Sequence, residues 1–195
     1  MIIPMEKKHA REVAVLHHKS VKSLLKDIGK QMCIVFYENV LKSKQNFGFV
    51  YVKNSKVMGF VFGTEDSSRL LKNPRILFGL SMGLLKKPSL MIRVVSRINQ
   101  KLPSGPEISY VAVDLRAIAM LKREDPNFKD KGIGDQLGVT IKKEFKKRGF
   151  PYLINWIEEK NKASLALSLR HGSKIVGDFW ENGTRKIVLH TPTSI

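Results

Sequence analysis

The run Lys129-Asp130-Lys131-Gly132-Ile133-Gly134 sets two glycines and two lysines directly ahead of a stretch with helical periodicity. Residues of these types at this spacing suit a phosphate. Glycine lets successive backbone N–H groups converge, a helix N-terminus adds roughly half a positive charge, and both favour a diphosphate there. The same glycines would also serve a plain tight turn into the helix. A nucleotide-hydrolysing loop needs Gly, four residues, then Gly-Lys-Ser or Gly-Lys-Thr, and no such string occurs. A dinucleotide fingerprint is closer, because Gly132, Gly134 and Gly138 nearly spell it and Glu158 follows about 20 residues on. Its last glycine is one residue late, however, and Pro126-Asn127-Phe128 stands where that fold runs an apolar strand into the turn.

Other reactive side chains are sparse. Cys33 is the only cysteine, so no internal disulfide forms, a cysteine zinc site lacks its ligands, and a reducing cytoplasmic setting is expected. His17 and His18 are adjacent and face apart on a helix, while His9, His171 and His190 stand alone among polar residues. All five read as surface or structural histidines, and no metal is expected. Trp156 and Trp180 read as packing residues that could line a pocket, and Met82 and Met91 as core filler.

The chain has 195 residues, 43% hydrophobic and 27% charged, which excludes intrinsic disorder and fits one domain over residues 1–195. Lys and Arg number 35 against 17 Asp and Glu, a net charge of +18 that selects polyanionic partners: phosphates, nucleic acid or acidic membrane faces. The N-terminus reads as a strand rather than a secretory signal. The most apolar run, Ile76 to Leu85, is too short for the roughly 20 residues of a spanning helix.

Periodicity supplies the elements that must position the loop. Lys7 to Ser20 and Lys30 to Lys42 repeat apolar residues at three and four, predicting two amphipathic helices after a first strand. Phe47 to Val52 and Val57 to Phe62, joined by Lys-Asn-Ser-Lys, predict a hairpin. Residues 67–106 then carry eight basic residues and no Asp or Glu, interleaved with apolar runs. This basic insertion is expected to be a helix pair split at Pro88, with two open readings. In one it packs on the hairpin and solvates a basic face; in the other it lies on a membrane surface with Leu, Phe and Met in the lipid and Lys and Arg on acidic headgroups. A strand at Ile108 to Val113, a polar stretch to Lys129, a helix from about Gly134 to Arg148, a strand at Tyr152 to Ile157 and a short helix at Lys162 to Arg170 follow. Lys174 to Phe179 and Arg185 to His190 close the chain as an antiparallel pair. The fold class is α/β (α+β), a mixed central sheet of about six or seven strands flanked by helices.

Together the residues suggest a family. Asp125 to Gly134 resembles the acetyl-coenzyme A loop of the GNAT acyltransferase superfamily, whose core is Arg or Gln, two residues, Gly, one residue, then Gly or Ala. Pro106 to Asp114 resembles that family's fourth strand, and Asn161-Lys162-Ala163-Ser164 with Leu167, Ser168 and Gly172 resembles its second motif. Lys129 stands where Arg or Gln is usual, the ten residues Leu115 to Glu124 intervene where the family has none, and Ser168 takes the place of a Tyr thought to protonate the leaving thiolate.

The resemblance implies acetyl-CoA as cosubstrate and an acetyl group moved to a primary amine. The acceptor would be a small amine or amino sugar, free or linked to a lipid or carrier; a protein N-terminus or lysine is the alternative. It further implies that backbone groups of Val111, Ala112 and Val113 hold the pantetheine and polarise the carbonyl, and that Lys129, Asp130, Lys131, Gly132, Ile133, Gly134 and Asp135 hold the diphosphate. Asn161 would bind the pantetheine arm, or else simply cap the helix before Ala163. Glu107 and Glu158 are the candidate bases and Ser168 a weak candidate acid. A non-catalytic nucleic-acid-binding module is the reading from another class; the basic residues lack the interleaved aromatics that would stack bases.

Overall fold

The computed structural model describes residues 1–72, 74–86, 88–90, 105–124, 132–181 and 183–194. Seven strands form one sheet: β1 (Ile2–Pro4), β2 (Asn46–Lys53), β3 (Lys56–Thr64), β4 (Glu107–Val113), β5 (Tyr152–Glu158), β6 (Lys174–Glu181) and β7 (Thr184–Pro192). They lie in the order β1-β2-β3-β4-β5-β7-β6. Every neighbouring pair is antiparallel except β4 and β5. The described helices are α1 (Ala10–Ser20), α2 (Leu24–Ile28), α3 (Lys30–Val40), α4 (Pro74–Lys86), α5 (Leu115–Glu124), α6 (Ile133–Lys147) and α7 (Lys162–Arg170).

The β2–β3 hairpin turns at Asn54 and Ser55, whose φ values of 50° and 58° match the twist of the flanking strands. Alternation along β3 then divides the core. Phe60 and Phe62 face α1 and α3, where Val13, Ala14, Phe36 and Tyr37 enclose them, while Val61 faces Leu137, Ile141 and Phe145 of α6. The periodic helices and the hairpin stand where the spacing predicts them.

Two elements depart from the sequence reading. Residues 115–124 form α5 rather than a polar stretch, because Asp114 caps it through Oδ1 accepting from Ala117 N–H at 3.1 Å and Ile118 buries beneath it. The short α2 was missed; Ser23 caps it by accepting from Lys26 N–H at 3.2 Å. The insertion helix α4 packs on α2 and α3, and its Ile76 and Leu80 join the core cluster that also holds Phe60 and Phe62 of the hairpin. A Cβ at Gly83 would lie 2.2 Å from Cγ2 of Ile28, so the two helices meet only because that residue is glycine. Gly83→Ala is expected to destabilise the chain by about 1–3 kcal/mol through overpacking, measured by urea unfolding. Residues 91–104, which hold the second half of the expected helix pair, lie outside the described residues.

One histidine belongs to the core. His17 is fully buried, with Nδ1 2.8 Å from the Tyr37 hydroxyl and Nε2 2.6 Å from Ser23 Oγ. Burial, aided by the charges of His18 and Lys26, pushes its pKa from 6.5 down to about 3. The unfolded chain therefore binds a proton that the folded chain refuses. This contribution to stability is complete above pH 6.5 and is lost as pH falls toward 3, at up to about 1.4 kcal/mol per pH unit. Urea unfolding is expected to show the chain about 2 kcal/mol less stable at pH 5 than at pH 7 from this group, with the slope reduced in His17→Gln.

Candidate active site

Strands β4 and β5 pair at one position only, Glu107 with Ile154, where Ile154 N–H donates to the Pro106 carbonyl at 2.7 Å. Beyond it the parallel ladder stops, and a cleft of about 890 Å³ runs between the strands. Ile108 to Val111 form one wall and Asn155 to Glu158 the other. On β4 the register against β3 jumps from Phe62–Tyr110 to Gly63–Ile108, leaving Ser109 as a bulge residue. A bulge re-aims backbone groups, and here it does so where β4 has lost its neighbour on the cleft side. The Ser109 hydroxyl lies buried in this wall with no hydrogen-bond partner among the described residues.

One end of the cleft is the first turn of α6. Its N-cap, Gly132, sits at φ +59°, a left-handed conformation that glycine takes without strain, and as a glycine it offers the helix no capping side chain. The N–H groups of that turn have no intrahelical acceptor. Gly134, Asp135, Gly138 and Lys142 present one stripe of α6 to the cleft. Ile133 points the other way and anchors the turn in the core, 3% exposed. The Asp135 carboxylate is hydrogen-bonded to His171 Nε2, which ties α6 to the end of α7. Lys142 is buried, its Nζ donating to the His171 carbonyl at 3.4 Å, and burial lowers its pKa. His171 and Lys142 escaped the sequence reading as site residues. The spacing of Gly134, Gly138 and Lys142 at intervals of four was the signal for Lys142; the pairing of His171 with Asp135 had none.

The other predicted residues divide. Val111 lines the cleft and is 43% exposed, whereas Ala112 is buried in the core beside α1 and Val113 packs toward α6, with its Cγ2 3.7 Å from where a Cβ of Gly134 would stand. Lys129, Asp130 and Lys131 lie outside the described residues. Asn161 accepts from Ser164 N–H at 3.2 Å, so it does cap α7, and it also lines the cleft. Ser168 lines it too, and its Oγ accepts from Asn155 Nδ2 at 3.4 Å. Asn155 in turn accepts from Thr191 Oγ1 at 2.9 Å, and Thr191 pairs with Ser173 at 2.7 Å.

The two carboxylates differ in their surroundings. Glu107 is 4% exposed and lines the cleft at the point where the strands part. Glu158 sits at the far end of β5 with Lys186 Nζ at 3.0 Å and Lys22 Nζ at 3.5 Å. Partial burial would raise the pKa of Glu158, but the hydrogen bonds and charges of Lys186 and Lys22 outweigh it and hold the carboxyl below its ordinary value. Among the described residues no group of three His, Cys, Asp or Glu side chains stands together as a metal would require. Among the same residues no helix is long and apolar enough to cross a membrane.

A seven-stranded mixed sheet that opens between its two parallel strands over a glycine-capped helix is the fold of the GNAT N-acetyltransferases. Solved structures agree over essentially the whole chain. An N-acetyltransferase from Staphylococcus aureus is 17% identical with a TM-score of 0.62, covering 100% of this chain and 98% of its own. An acetyltransferase of the GNAT family from Streptococcus pneumoniae is 14% identical with a TM-score of 0.58, covering 98% of both chains. The yncA protein of Salmonella typhimurium, solved with its cofactor acetyl-CoA, is 12% identical with a TM-score of 0.60, covering 100% of this chain and 94% of its own. No protein-family model and no curated protein sequence matches, so the likeness is one of fold.

Proposed function

We propose that this chain is an acetyl-CoA-dependent N-acyltransferase, one catalytic domain over residues 1–195 with 67–106 inserted, that moves an acetyl group to a primary amine. The observation that carries the reading is the cleft between β4 and β5, which ends at a helix N-terminus whose N-cap is the left-handed Gly132. The diphosphate of the coenzyme rests on the N–H groups from Gly132 to Asp135, with Lys129 to Lys131 supplying positive charge. The pantetheine lies along β4, and N–H groups near Val111 to Val113 polarise the thioester carbonyl.

The reaction itself is short. Glu107 takes a proton from the acceptor ammonium, the neutral nitrogen attacks the carbonyl carbon, and the C–S bond breaks as the amide forms, with the nitrogen's second proton passing to the departing thiolate. Coenzyme A leaves as a thiolate; a thiol of pKa about 8.5 departs without a strong acid. Asn155 donates to the Ser168 oxygen, which leaves the Ser168 hydroxyl hydrogen free to donate. Glu158, held ionised by two lysines, orients rather than accepts protons. Orientation supplies most of the acceleration.

The acceptor is a small amine or amino sugar, free or carrier-linked, with a protein N-terminus or lysine as the alternative. Acetyl-CoA at about 100 times its dissociation constant should stabilise the chain by about 2.7 kcal/mol, read as a rise in Tm. Adding a panel of primary amines should release free thiol. A Tm shift with an oligonucleotide alone, vanishing as salt rises, would replace the enzyme by a nucleic-acid-binding module.

A further inference from the structure

Helix α4 is apolar on both sides. Ile76 and Leu80 are buried inward, yet Leu77, Phe78, Met82 and Leu85 are 49%, 68%, 44% and 76% exposed. Phe78, Met82 and Leu85 follow one another at intervals of four and three, so they form one outward stripe. Four large apolar side chains on one exposed helix face are more than the scattered exposure of an ordinary surface.

The chemistry around the stripe indicates what covers it. Exposed Arg75 stands at the start of the same helix, three residues before Phe78, and the Arg69 side chain in the turn before it is 62% exposed and paired with Asp66 at 3.0 Å. The chain as a whole carries a net charge of +18. A protein partner would have to match this apolar stripe with a groove of its own. A bilayer of anionic phospholipid meets both demands at once, because acyl chains accept Phe and Leu to a depth of ~5–10 Å while headgroups gather the cations.

We propose that the outer face of α4 docks the chain onto an anionic membrane surface, with Phe78, Met82 and Leu85 entering the lipid. The helix has 13 residues, so it lies in the interface and does not span it. This inference stands on the stripe and its charges and is independent of the reaction assigned to the cleft.

The test must separate the stripe from the general attraction of a chain with net charge +18. Phe78→Ser with Leu85→Ser leaves the charge unchanged and alters only exposed positions. Wild type is expected to co-sediment with vesicles of phosphatidylcholine and phosphatidylglycerol and far less with phosphatidylcholine alone. The double variant is expected to bind the mixed vesicles about tenfold more weakly or worse, with its circular dichroism and its Tm shift with acetyl-CoA unchanged. Equal sedimentation of variant and wild type overturns the proposal, as does no binding of wild type at low salt. A wild-type dimer that the double variant converts to monomer, without vesicle binding, would assign the face to a second copy and overturn it as well.

Discussion

Replacing Glu107 by Gln is expected to lower kcat by about 10² to 10⁴, the range that a positioned general base supplies. Gln keeps the shape of the side chain and removes its ability to take a proton. The residue is 4% exposed and sits where β4 and β5 separate, so water has little access to substitute for it. Because the coenzyme's diphosphate is proposed to rest on α6, away from Glu107, its KM is expected to stay within a few-fold, and the acidic limb of the kcat pH profile to disappear. A fall in kcat with that limb intact would make Glu107 a structural residue. Glu158→Gln serves as the comparison: its carboxyl is already committed to Lys186 and Lys22, and a loss below about tenfold is expected.

Gly134→Asp is expected to weaken acetyl-CoA binding by about 100-fold or more, since a like charge placed against a bound anion costs several kcal/mol. The change is informative because the fold should accept it. A Cβ at this position meets only Val113 Cγ2 at 3.7 Å, an ordinary contact, and carboxylates are favourable in a first helical turn. Gly134→Ala, which adds bulk without charge, should lose less. Titration calorimetry with acetyl-CoA on both variants reads the difference. Equal affinities for the Asp variant and wild type would remove the diphosphate from this turn.

The fold was legible wherever periodicity or turn chemistry fixed it. The Phe- and Val-rich runs Phe47 to Val52 and Val57 to Phe62, with the Asn54-Ser55 turn between them, need no tertiary information to be read as a hairpin. The helix α5 was not, although Asp114 before Leu115 and the spacing of Ile118 and Leu121 carry a cap and a period; its charged residues Arg116, Lys122 and Arg123 and the lack of a counterpart in the resemblance hid it. The site was legible in its glycines and less so in its side chains. Gly132 and Gly134 mark locally the turn proposed to hold the diphosphate, but His171 reaches Asp135 from 36 residues away, and such a pairing exists only after the sheet has brought α6 and α7 together. The same holds for Glu158, whose character is set by Lys186 and Lys22, from distant parts of the chain. Asn161 caps α7, as one of its two readings expected, and it also lines the cleft.

The most direct measurement is a crystal structure of the chain soaked with acetyl-CoA. The account predicts diphosphate oxygens within hydrogen-bonding distance of the N–H groups at the start of α6, pantetheine threaded between β4 and β5, and the thioester beside the Ser109 bulge. A coenzyme bound anywhere else, or a saturating soak that leaves this cleft to solvent, would contradict it.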